Sequence, residues 1–247
     1  MDKRTVIITG GSRGIGKAIS TRFAKEGYNI VINYVSNDEA ANSLKDELIK
    51  KYNVNVLLVK GDVSKDEDVK NLINKTIEEF KTINVLVNNA GIAIDKPFLD
   101  KTSEDFKNVL NTNLIGPFLT SKYAYNYLIN ADNASIINIS STNGIDTLYS
   151  ESIDYDASKA GLISLTKNLS TVFAPMVRVN SVAPGWVKTE MNSSLDKEFM
   201  KDEEDKILLN RFAEPEEIAN VVYFLASKDA SYINGEVIIV DGGCNGC

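Results

Sequence analysis

Short runs of aliphatic and β-branched residues alternate with longer amphipathic segments from one end of the chain to the other. The short runs, which we interpret as strands, are "TVIITG" (5–10), "YNIVINY" (28–34), "NVNVLLVKG" (53–61), "INVLVNNAG" (83–91), "ASIINISS" (134–141), "VRVNSVAPG" (177–185) and "EVIIVDGG" (236–243). The predicted helices between them are 14–27, 37–52, 65–80, 103–130, 152–174 and 215–228. Strands that are apolar throughout fit a parallel sheet covered on both faces, and alternation with helices fits βαβ units. The pattern predicts an α/β fold with a doubly wound, parallel, seven-stranded sheet and helices on both faces.

The chain is long enough for one large core and has no segment that would serve as a linker. Its 247 residues are 43% apolar, and no Pro/Gly/Ser-rich or repeated stretch divides them. We therefore predict a single domain over residues 1–247. The exception to the regular pattern is 186–212, "WVKTEMNSSLDKEFMKDEEDKILLNRF", a long charged connection that we interpret as a lid over a substrate site.

Composition argues against several classes of partner. The formal net charge is −7, and the lysines are scattered among acidic residues, which disfavours nucleic acid and acidic membrane surfaces. No apolar run approaches a membrane span, and the N-terminus enters a strand at once, so we predict a cytoplasmic protein. With no histidine and only Cys244 and Cys247, interpreted as an ordinary thiol-bearing tail, we predict no metal site.

A glycine-rich turn, "TGGSRGIG" (9–16), joins the first strand to the first helix. Glycines at such a turn let backbone N–H groups approach a pyrophosphate, which also faces the positive end of the helix dipole. The spacing, Gly10-xxx-Gly14-x-Gly16, differs from the G-x-G-x-x-G fingerprint. The predicted phosphate contacts of this turn are Gly10, Ser12, Arg13, Gly14, Ile15 and Gly16.

In its strand-turn-helix context this spacing resembles the short-chain dehydrogenase/reductase superfamily, in its single-domain branch. Six further motifs follow in the family order: Gly61-Asp62-Val63, "NNAG" (88–91), "NTNLIGPF" with Asn113, "INISSTNG" with Ser141, Tyr155-xxx-Lys159, and "VAPGWVKTEM" with Thr189. Six motifs in order are far more specific than any one of them. The resemblance implies a single dinucleotide-binding catalytic domain with the Rossmann fold.

The resemblance also implies a nicotinamide dinucleotide. The remaining contacts that it implies are Tyr34, Asp62, Val63, Asn89, Ala90, Gly91, Tyr155, Lys159, Pro184, Gly185, Val187 and Thr189. Tyr34 stands where an acidic side chain would bind the ribose 2'-hydroxyl of NAD. Without that acid nothing there repels a 2'-phosphate, and Arg13 could donate to it, so we predict NADP(H) over NAD(H). Val35, where many NADP-using relatives carry a second basic residue, keeps NAD(H) as the alternative.

Tyr155 and Lys159 are spaced to share one face of a helix. A free tyrosine has a pKa of ~10, and a nearby cation lowers that pKa. The resemblance implies Tyr155 as the general acid in reduction and Lys159 as the cation, which also binds the nicotinamide ribose. It implies that Ser141 hydrogen-bonds the substrate oxygen and that Asn113 holds a water linking Lys159 to solvent.

Two neighbouring assignments accompany this tetrad of catalytic residues. Asp154 and Asp156 flank the tyrosine, and we interpret both as stabilising the helix start, with Ser152 as the candidate cap. Ser140 competes with Ser141 for the catalytic role, but the family pattern Ser-x-x-Gly and Gly144 select Ser141. The loop between Ser141 and Tyr155 is then one residue longer than the family usually has.

The implied reaction interconverts a ketone and a secondary alcohol. Overall the sequence is most similar to 3-oxoacyl-acyl-carrier-protein reductases, which favours a 3-oxoacyl thioester; sugar, polyol or hydroxysteroid dehydrogenases of the same family are the alternative. An acyl carrier protein is disfavoured as a partner, because Asp132 and a lone Arg178 stand where such reductases present basic side chains.

Two expectations concern the protein as a whole. A non-catalytic dinucleotide sensor is the alternative from another class, although such a protein would not need Ser141, Tyr155 and Lys159 together. Family members are commonly tetramers built on the two long helices, here 103–130 and 152–174, so we expect a homotetramer.

Overall fold

The computed structural model describes residues 3–146, 149–190 and 196–244. Seven parallel strands form one sheet in the order β3-β2-β1-β4-β5-β6-β7. The strands are β1 (Thr5–Ile8), β2 (Asn29–Tyr34), β3 (Val56–Lys60), β4 (Val85–Asn88), β5 (Ala134–Ile139), β6 (Val177–Pro184) and β7 (Val237–Val240). The helices are α1 (Gly14–Lys25), α2 (Asp38–Tyr52), α3 (Asp66–Phe80), α4 (Ser103–Leu110), α5 (Gly116–Leu128), α6 (Ile153–Phe173), α7 (Lys197–Lys206) and α8 (Pro215–Ala226). The predicted single-domain Rossmann fold is confirmed.

Alternate residues of the strands build two separate cores, one on each face of the sheet. In β1, Val6 and Ile8 belong to a cluster with α1, α2 and α8, whereas Ile7 belongs to a second cluster with α3, α5 and α6. Successive side chains of a strand point to opposite faces, so a strand buried on both faces must be apolar throughout. This is why the strand sequences contain no polar alternation.

The helix ends follow from local sequence. Thr102 and Asp105 form a reciprocal capping box at the start of α4. Pro215 is the first residue of α8, where its missing N–H costs no hydrogen bond. Gly27, just after α1, has a φ of 81°, a left-handed conformation that glycine adopts without strain.

The predicted helix 103–130 is in fact two α-helices joined by a π-helical turn. The turn spans Asn111–Ile115 and shifts the helix register between α4 and α5. Such turns widen the helix by one residue and turn side chains out of the regular face. Asn113 lies at its centre and is fully buried.

A buried polar chain crosses the middle of the sheet. Thr120 of α5 donates to Asn88 of β4 (2.6 Å), Asn88 donates to Asn138 of β5 (2.8 Å), and Asn138 donates to Thr166 of α6 (2.8 Å). All four side chains are buried. Because a buried amide without partners is costly, this chain fixes β4 and β5 relative to both long helices.

The long connection 186–212 contains α7 and a small aromatic cluster. Trp186 stacks on Phe212 and donates through Nε1 to Glu203 (3.1 Å), which is buried. Glu203, an acidic residue of α7, is therefore part of this packed cluster. The position of Met191 in the predicted lid 186–212 makes it a candidate substrate contact from the sequence, and it lies outside the described residues.

Two further features complete the fold. No helix in the described ranges combines the length and the apolar character needed to span a membrane. Cys244 is disulfide-bonded, which differs from the expected free thiol, and Cys247 lies outside the described residues.

Candidate active site

The carboxyl ends of β4 and β5, the π-helical turn and the start of α6 bring the four predicted catalytic residues to one place. Ser141 follows β5 directly, Tyr155 and Lys159 lie in the first turns of α6, and Asn113 belongs to the π-helical turn. The hydroxyl of Ser141 lies near that of Tyr155 and lowers the pKa of the tyrosine. The Lys159 ammonium lies 5.3 Å from the centre of the Tyr155 ring.

Gly144 sets the distance between the serine loop and α6. A Cβ built on this glycine would lie 2.6 Å from the backbone carbon of Lys159, closer than real contacts allow. Ser140 is occupied elsewhere, because its hydroxyl donates to Val182 O (3.1 Å) and accepts from Ser181 (2.7 Å). Ser141 is therefore the serine that faces Tyr155, as its spacing to Gly144 predicts.

Lys159 is a buried cation whose described neighbours include no carboxylate partner. Its Nζ donates to Ile139 O at 2.8 Å, and the side chain has no ion pair among those resolved in the described residues. Burial lowers the pKa of Lys159 to about 8. Lys159 is therefore mostly protonated at neutral pH and loses its charge as the pH rises through about 8.

Burial is also the main influence on Tyr155. It raises the pKa of Tyr155 to about 12; the neighbouring Ser141 hydroxyl lowers the pKa, and the charges of Asp156 and Asp95 raise it further. The expected lowering by Lys159 is not among these causes. In the protein by itself Tyr155 is held protonated.

Asn113 is anchored to the loop after β4. Its Oδ1 accepts from Ile92 N (2.9 Å), and its Nδ2 donates to Ile92 O (2.9 Å) and to Ser158 Oγ (3.0 Å). A Cβ on Gly91 would lie 3.4 Å from Asn113 Oδ1 and 3.5 Å from Lys159 Nζ. Gly91 thus leaves open the space where the amide and the ammonium approach each other.

The two aspartates that flank Tyr155 do more than stabilise a helix start. Asp154 is fully buried, accepts from the Tyr155 backbone N–H (3.0 Å) and forms an ion pair with Lys101 (2.9 Å). Asp156 accepts from Asn143 Nδ2 (2.8 Å) and from Tyr149 N (3.3 Å). The helix-dipole interpretation of both residues is therefore incomplete, since neither carboxylate is free to serve the dipole alone.

The cap assignment at the same helix start is also corrected. Ser152 occupies the N-cap position of α6, but its hydroxyl makes no capping bond. It donates instead to Asp95, in the loop after β4. The serine therefore links two loops of the site and leaves the helix amides to other acceptors such as Asp154.

The glycine-rich turn has the shape of a phosphate cradle. Gly10 and Gly14 have φ values of 61° and 49°, and a Cβ on Gly16 would lie 2.1 Å from Gly10 O. Only glycine fits the last position, and the side chain of Arg13 at the N-cap makes no hydrogen bond to the backbone N–H groups at the start of α1. Asn89 supports the turn by donating to Thr9 O (2.9 Å). The residues present therefore fit a dinucleotide pyrophosphate.

The other predicted cofactor contacts lie around this turn and along the strand ends. Thr189 is within 3.5 Å of a Cβ placed on Gly14. Asp62 is tied into its own turn by accepting from the backbone and hydroxyl of Ser64 (2.9 and 2.7 Å). The rest take these places: Ser12 and Ile15 in the turn, Val63 buried after β3, Ala90 with its N–H donating to Thr9 Oγ1, Pro184 and Gly185 at the end of β6, and Val187 buried in the following bridge.

Asp38, at the start of α2, places a carboxylate at the end of β2 that was not expected from the sequence. The Tyr34 hydroxyl donates to Asp38 (2.9 Å), and Lys60 of the neighbouring strand binds the other oxygen of the same carboxylate (2.7 Å). Arg13, the expected phosphate donor, pairs with Glu190 at 3.4 Å. Strand register would have indicated Lys60, because Tyr34 and Lys60 are direct partners in the sheet.

Comparisons with known proteins identify the family. A family model described as enoyl-(acyl carrier protein) reductase matches residues 10–245. The chain is 41% identical over 242 residues to a 3-oxoacyl-acyl-carrier-protein reductase of Aquifex aeolicus, covering 96% of this chain and 95% of the relative. The chain belongs to the short-chain dehydrogenase/reductase family. Members of this family are oxidoreductases that act between CH–OH and C=O groups with a nicotinamide dinucleotide.

Other short-chain dehydrogenases/reductases are nearly as similar. Glucose 1-dehydrogenase 2 of Bacillus subtilis is 36% identical, with 97% of this chain and 94% of the relative covered. A crystal structure of a dehydrogenase/reductase from Sinorhizobium meliloti has a TM-score of 0.93 at 32% identity, covering 99% and 96% of the two chains. A glucose/ribitol dehydrogenase structure from Brucella melitensis has a TM-score of 0.92 at 34% identity, covering 97% and 96%. Similarity within the family thus extends to both thioester and sugar enzymes.

Proposed function

We propose that this protein is an NADP(H)-dependent reductase that converts the ketone of a 3-oxoacyl thioester to a secondary alcohol. The observation that carries the proposal is the pair of neighbouring hydroxyls on Tyr155 and Ser141, beside a buried Lys159 and at the strand ends next to Gly91. Two hydroxyls that converge in this way can both donate to one carbonyl oxygen.

The residues divide the work as follows. When bound, the reduced nicotinamide supplies a hydride to the carbonyl carbon. Tyr155 gives its proton to the carbonyl oxygen, and Ser141 hydrogen-bonds that oxygen as its charge develops. Lys159 places a positive charge beside the tyrosine, and Asn113 holds the loop at Ile92 against α6. The raised pKa of Tyr155 keeps it protonated at neutral pH, which is the form that reduction requires.

NADP(H) is proposed over NAD(H) because two cations lie near the end of β2, where the ribose that carries the 2'-phosphate would bind. Lys60 neutralises Asp38, and Arg13 is an exposed guanidinium in the glycine-rich turn. Exchange of Glu190 for a 2'-phosphate would give Arg13 a doubly charged partner. Arg13→Ala should therefore weaken NADPH binding about 10-fold and NADH binding less than 2-fold, measured by fluorescence titration. Equal losses for both would favour NAD(H).

The thioester is favoured over a sugar by overall similarity to the Aquifex aeolicus reductase. A carrier protein remains the less favoured thioester donor, since Arg178 is spent on Leu225 O (2.7 Å) and Ser227 O (3.0 Å) and Asp132 is exposed. The decisive experiment measures NADPH oxidation with acetoacetyl-coenzyme A, simple ketones and diketones, and NADP reduction with sugars and hydroxysteroids. Turnover only with sugars would overturn the thioester proposal, and tight dinucleotide binding without any turnover would indicate a sensor.

We also propose a homotetramer and a cytoplasmic location. Large apolar side chains are exposed on the long helices, among them Ile115, Phe118 and Val172, and Ile239 is exposed on the edge strand β7. Their burial against other copies would remove apolar surface from water. Light scattering after size exclusion tests the assembly, a monomer being the contrary result, and cell fractionation tests the location.

A further inference from the structure

A chain of hydrogen bonds runs from the carboxylate of Asp156 to the hydroxyl of Ser141. Asn143 Nδ2 donates to Asp156 Oδ1 at 2.8 Å, and Ser141 Oγ donates to Asn143 Oδ1 at 3.1 Å. The backbone N–H of Asn143 also donates to Ser141 Oγ at 3.2 Å. Residue 143 therefore holds the serine hydroxyl with one donor and one acceptor.

The chemistry of the two side chains fixes the direction of this chain. An ionised carboxylate only accepts hydrogen bonds, so the amide must turn its NH₂ group towards Asp156. The amide oxygen then faces Ser141 and accepts its proton. The remaining lone pair of Ser141 Oγ and the approach of the Tyr155 hydroxyl define where a third group can bind. Asp156 thus acts on Ser141 through the orientation of Asn143.

The surroundings make Asp156 a suitable fixed end. Its second oxygen accepts from Tyr149 N (3.3 Å), which ties the loop between Ser141 and α6 to the helix. Burial raises the pKa of Asp156, the donors Asn143 and Tyr149 N lower it, and the charges of Asp154 and Asp95 raise it. This same loop carries the extra residue relative to the family pattern. The chain of hydrogen bonds therefore crosses the loop whose length differs from that of the family.

We propose that Asn143 and Asp156 are positioning residues that aim the Ser141 hydroxyl at the carbonyl oxygen of the substrate. The proposal rests on the proposed function of the site. In the free protein Asn143 holds the serine proton, and the substrate oxygen replaces the amide oxygen as its acceptor. Neither residue touches the reacting atoms, and both act through Ser141.

A double-mutant cycle tests whether Asn143 works through Ser141. Asn143→Ala should lower kcat about 10-fold, the loss of one positioning hydrogen bond, with KM changed less than 2-fold. In a Ser141→Ala background the same substitution should have no further effect on kcat. If the two losses multiply, Asn143 acts independently of Ser141 and the proposal is wrong.

An exchange of the two side chains tests the direction of the chain. Asn143→Asp alone places two carboxylates opposite each other and should lower kcat more than Asn143→Ala does. The double variant N143D/D156N restores the bond, because an amide at 156 can donate to a carboxylate at 143 whose other oxygen still accepts from Ser141. Recovery of kcat to within about 5-fold of the parent is expected, and a double variant no better than N143D overturns the proposal.

Control measurements separate positioning from folding and from the choice of substrate. Asp146→Asn removes a charge from the same loop at an exposed residue and should leave kcat unchanged. Thermal unfolding and NADPH binding of N143A, D146N and N143D/D156N should match the parent. A crystal structure of the N143A variant should show the Ser141 hydroxyl in a different rotamer from the parent crystal. An unchanged rotamer would overturn the proposal, even if none of the ketones and alcohols tested had proved to be a substrate.

Discussion

The start of α6 contains two buried lysine ammonium groups in opposite situations. Lys101 reaches it from the loop before α4 and pairs with Asp154, the two side chains being 4% and 0% exposed. Lys159 is 4% exposed and donates only to a backbone carbonyl, with no carboxylate partner in the described part of the chain. A buried charge that is paired holds elements together, whereas one left unpaired has a displaced pKa and is available for chemistry.

Tyr155→Phe should give the largest effect, because it removes the proton donor beside the unpaired lysine. We expect kcat to fall about 10²–10⁴-fold, the usual contribution of a general acid. NADPH binding, followed by fluorescence titration, should stay within 2-fold of the parent. Tyr127→Phe, on the distant end of α5, is the matched control and should leave kcat unaltered. A Y155F variant with near-parental turnover would show that the proton comes from elsewhere.

Lys101→Met should have the largest effect on folding. It leaves the Asp154 carboxylate buried with no cation, while one of its oxygens has no hydrogen bond even in the parent. We expect the free energy of unfolding to fall by about 3–5 kcal/mol, measured by denaturant unfolding at pH 7.

The double variant K101M/D154N sharpens this expectation. It removes both charges with side chains of nearly the same shape, so most of the lost stability should return. If K101M alone is as stable as the parent, the ion pair does not hold the loop, and the contrast with Lys159 disappears.

Lys159→Met should act in the opposite direction on stability. A folded-state pKa of about 8 lies below the ordinary 10.5, so the unfolded chain binds more protons between these pH values and stability rises with pH there. Below pH 8 the buried ammonium costs about 3 kcal/mol. We expect the variant to be more stable than the parent by about 2 kcal/mol at pH 7, after the lost bond to Ile139 O.

The extra stability of the Lys159→Met variant should shrink as the pH rises from 8 towards 10.5. Its turnover should be lower than that of the parent because the cation beside Tyr155 is gone. Unfolding titrations at pH 7 and 9.5 provide the measurement. A loss of stability at pH 7 would mean that Lys159 is compensated like Lys101.

Asp156→Asn should give the smallest effect, on the pH dependence of the rate, because the amide oxygen of the new side chain can still accept from Asn143 while the negative charge is lost. The charge of Asp156 raises the pKa of Tyr155, so its removal lowers that pKa. Reduction needs protonated Tyr155, and the rate should therefore begin to fall at a lower pH than in the parent. The profile of kcat/KM against pH measures this, with Asp146→Asn as control. A shift to higher pH would contradict the cause assigned to Asp156.

Local sequence was sufficient for the fold, and the family resemblance named the candidate site residues that the structure brings together. Wholly apolar strands, Thr102 and Pro215 marked the elements, and Gly144 selected Ser141 because it leaves room for the α6 backbone. The π-helical turn at Asn113 could not be predicted, because its extra residue is decided by the bonds that Asn113 makes to Ile92 across the fold.

Contacts between residues distant in sequence were the other feature that the sequence could not predict. Nothing near Asp154 in sequence indicates that Lys101, 53 residues away, neutralises it. Asn143 likewise reads as a loop residue until α6 brings Asp156 opposite its amide. Side chains that act through partners distant in sequence carry no local pattern, since their role depends on the packed geometry.

The polar chain from Thr120 through Asn88 and Asn138 to Thr166 has a consequence for redesign. Its members must move together, because displacing one amide leaves another without a partner in the core. The ends of β4 and β5 are therefore fixed in position relative to α5 and α6. A protein engineer who wishes to admit bulkier ketones should vary the length and composition of 145–148 and leave Asn143, Gly144 and the ends of β4 and β5 untouched.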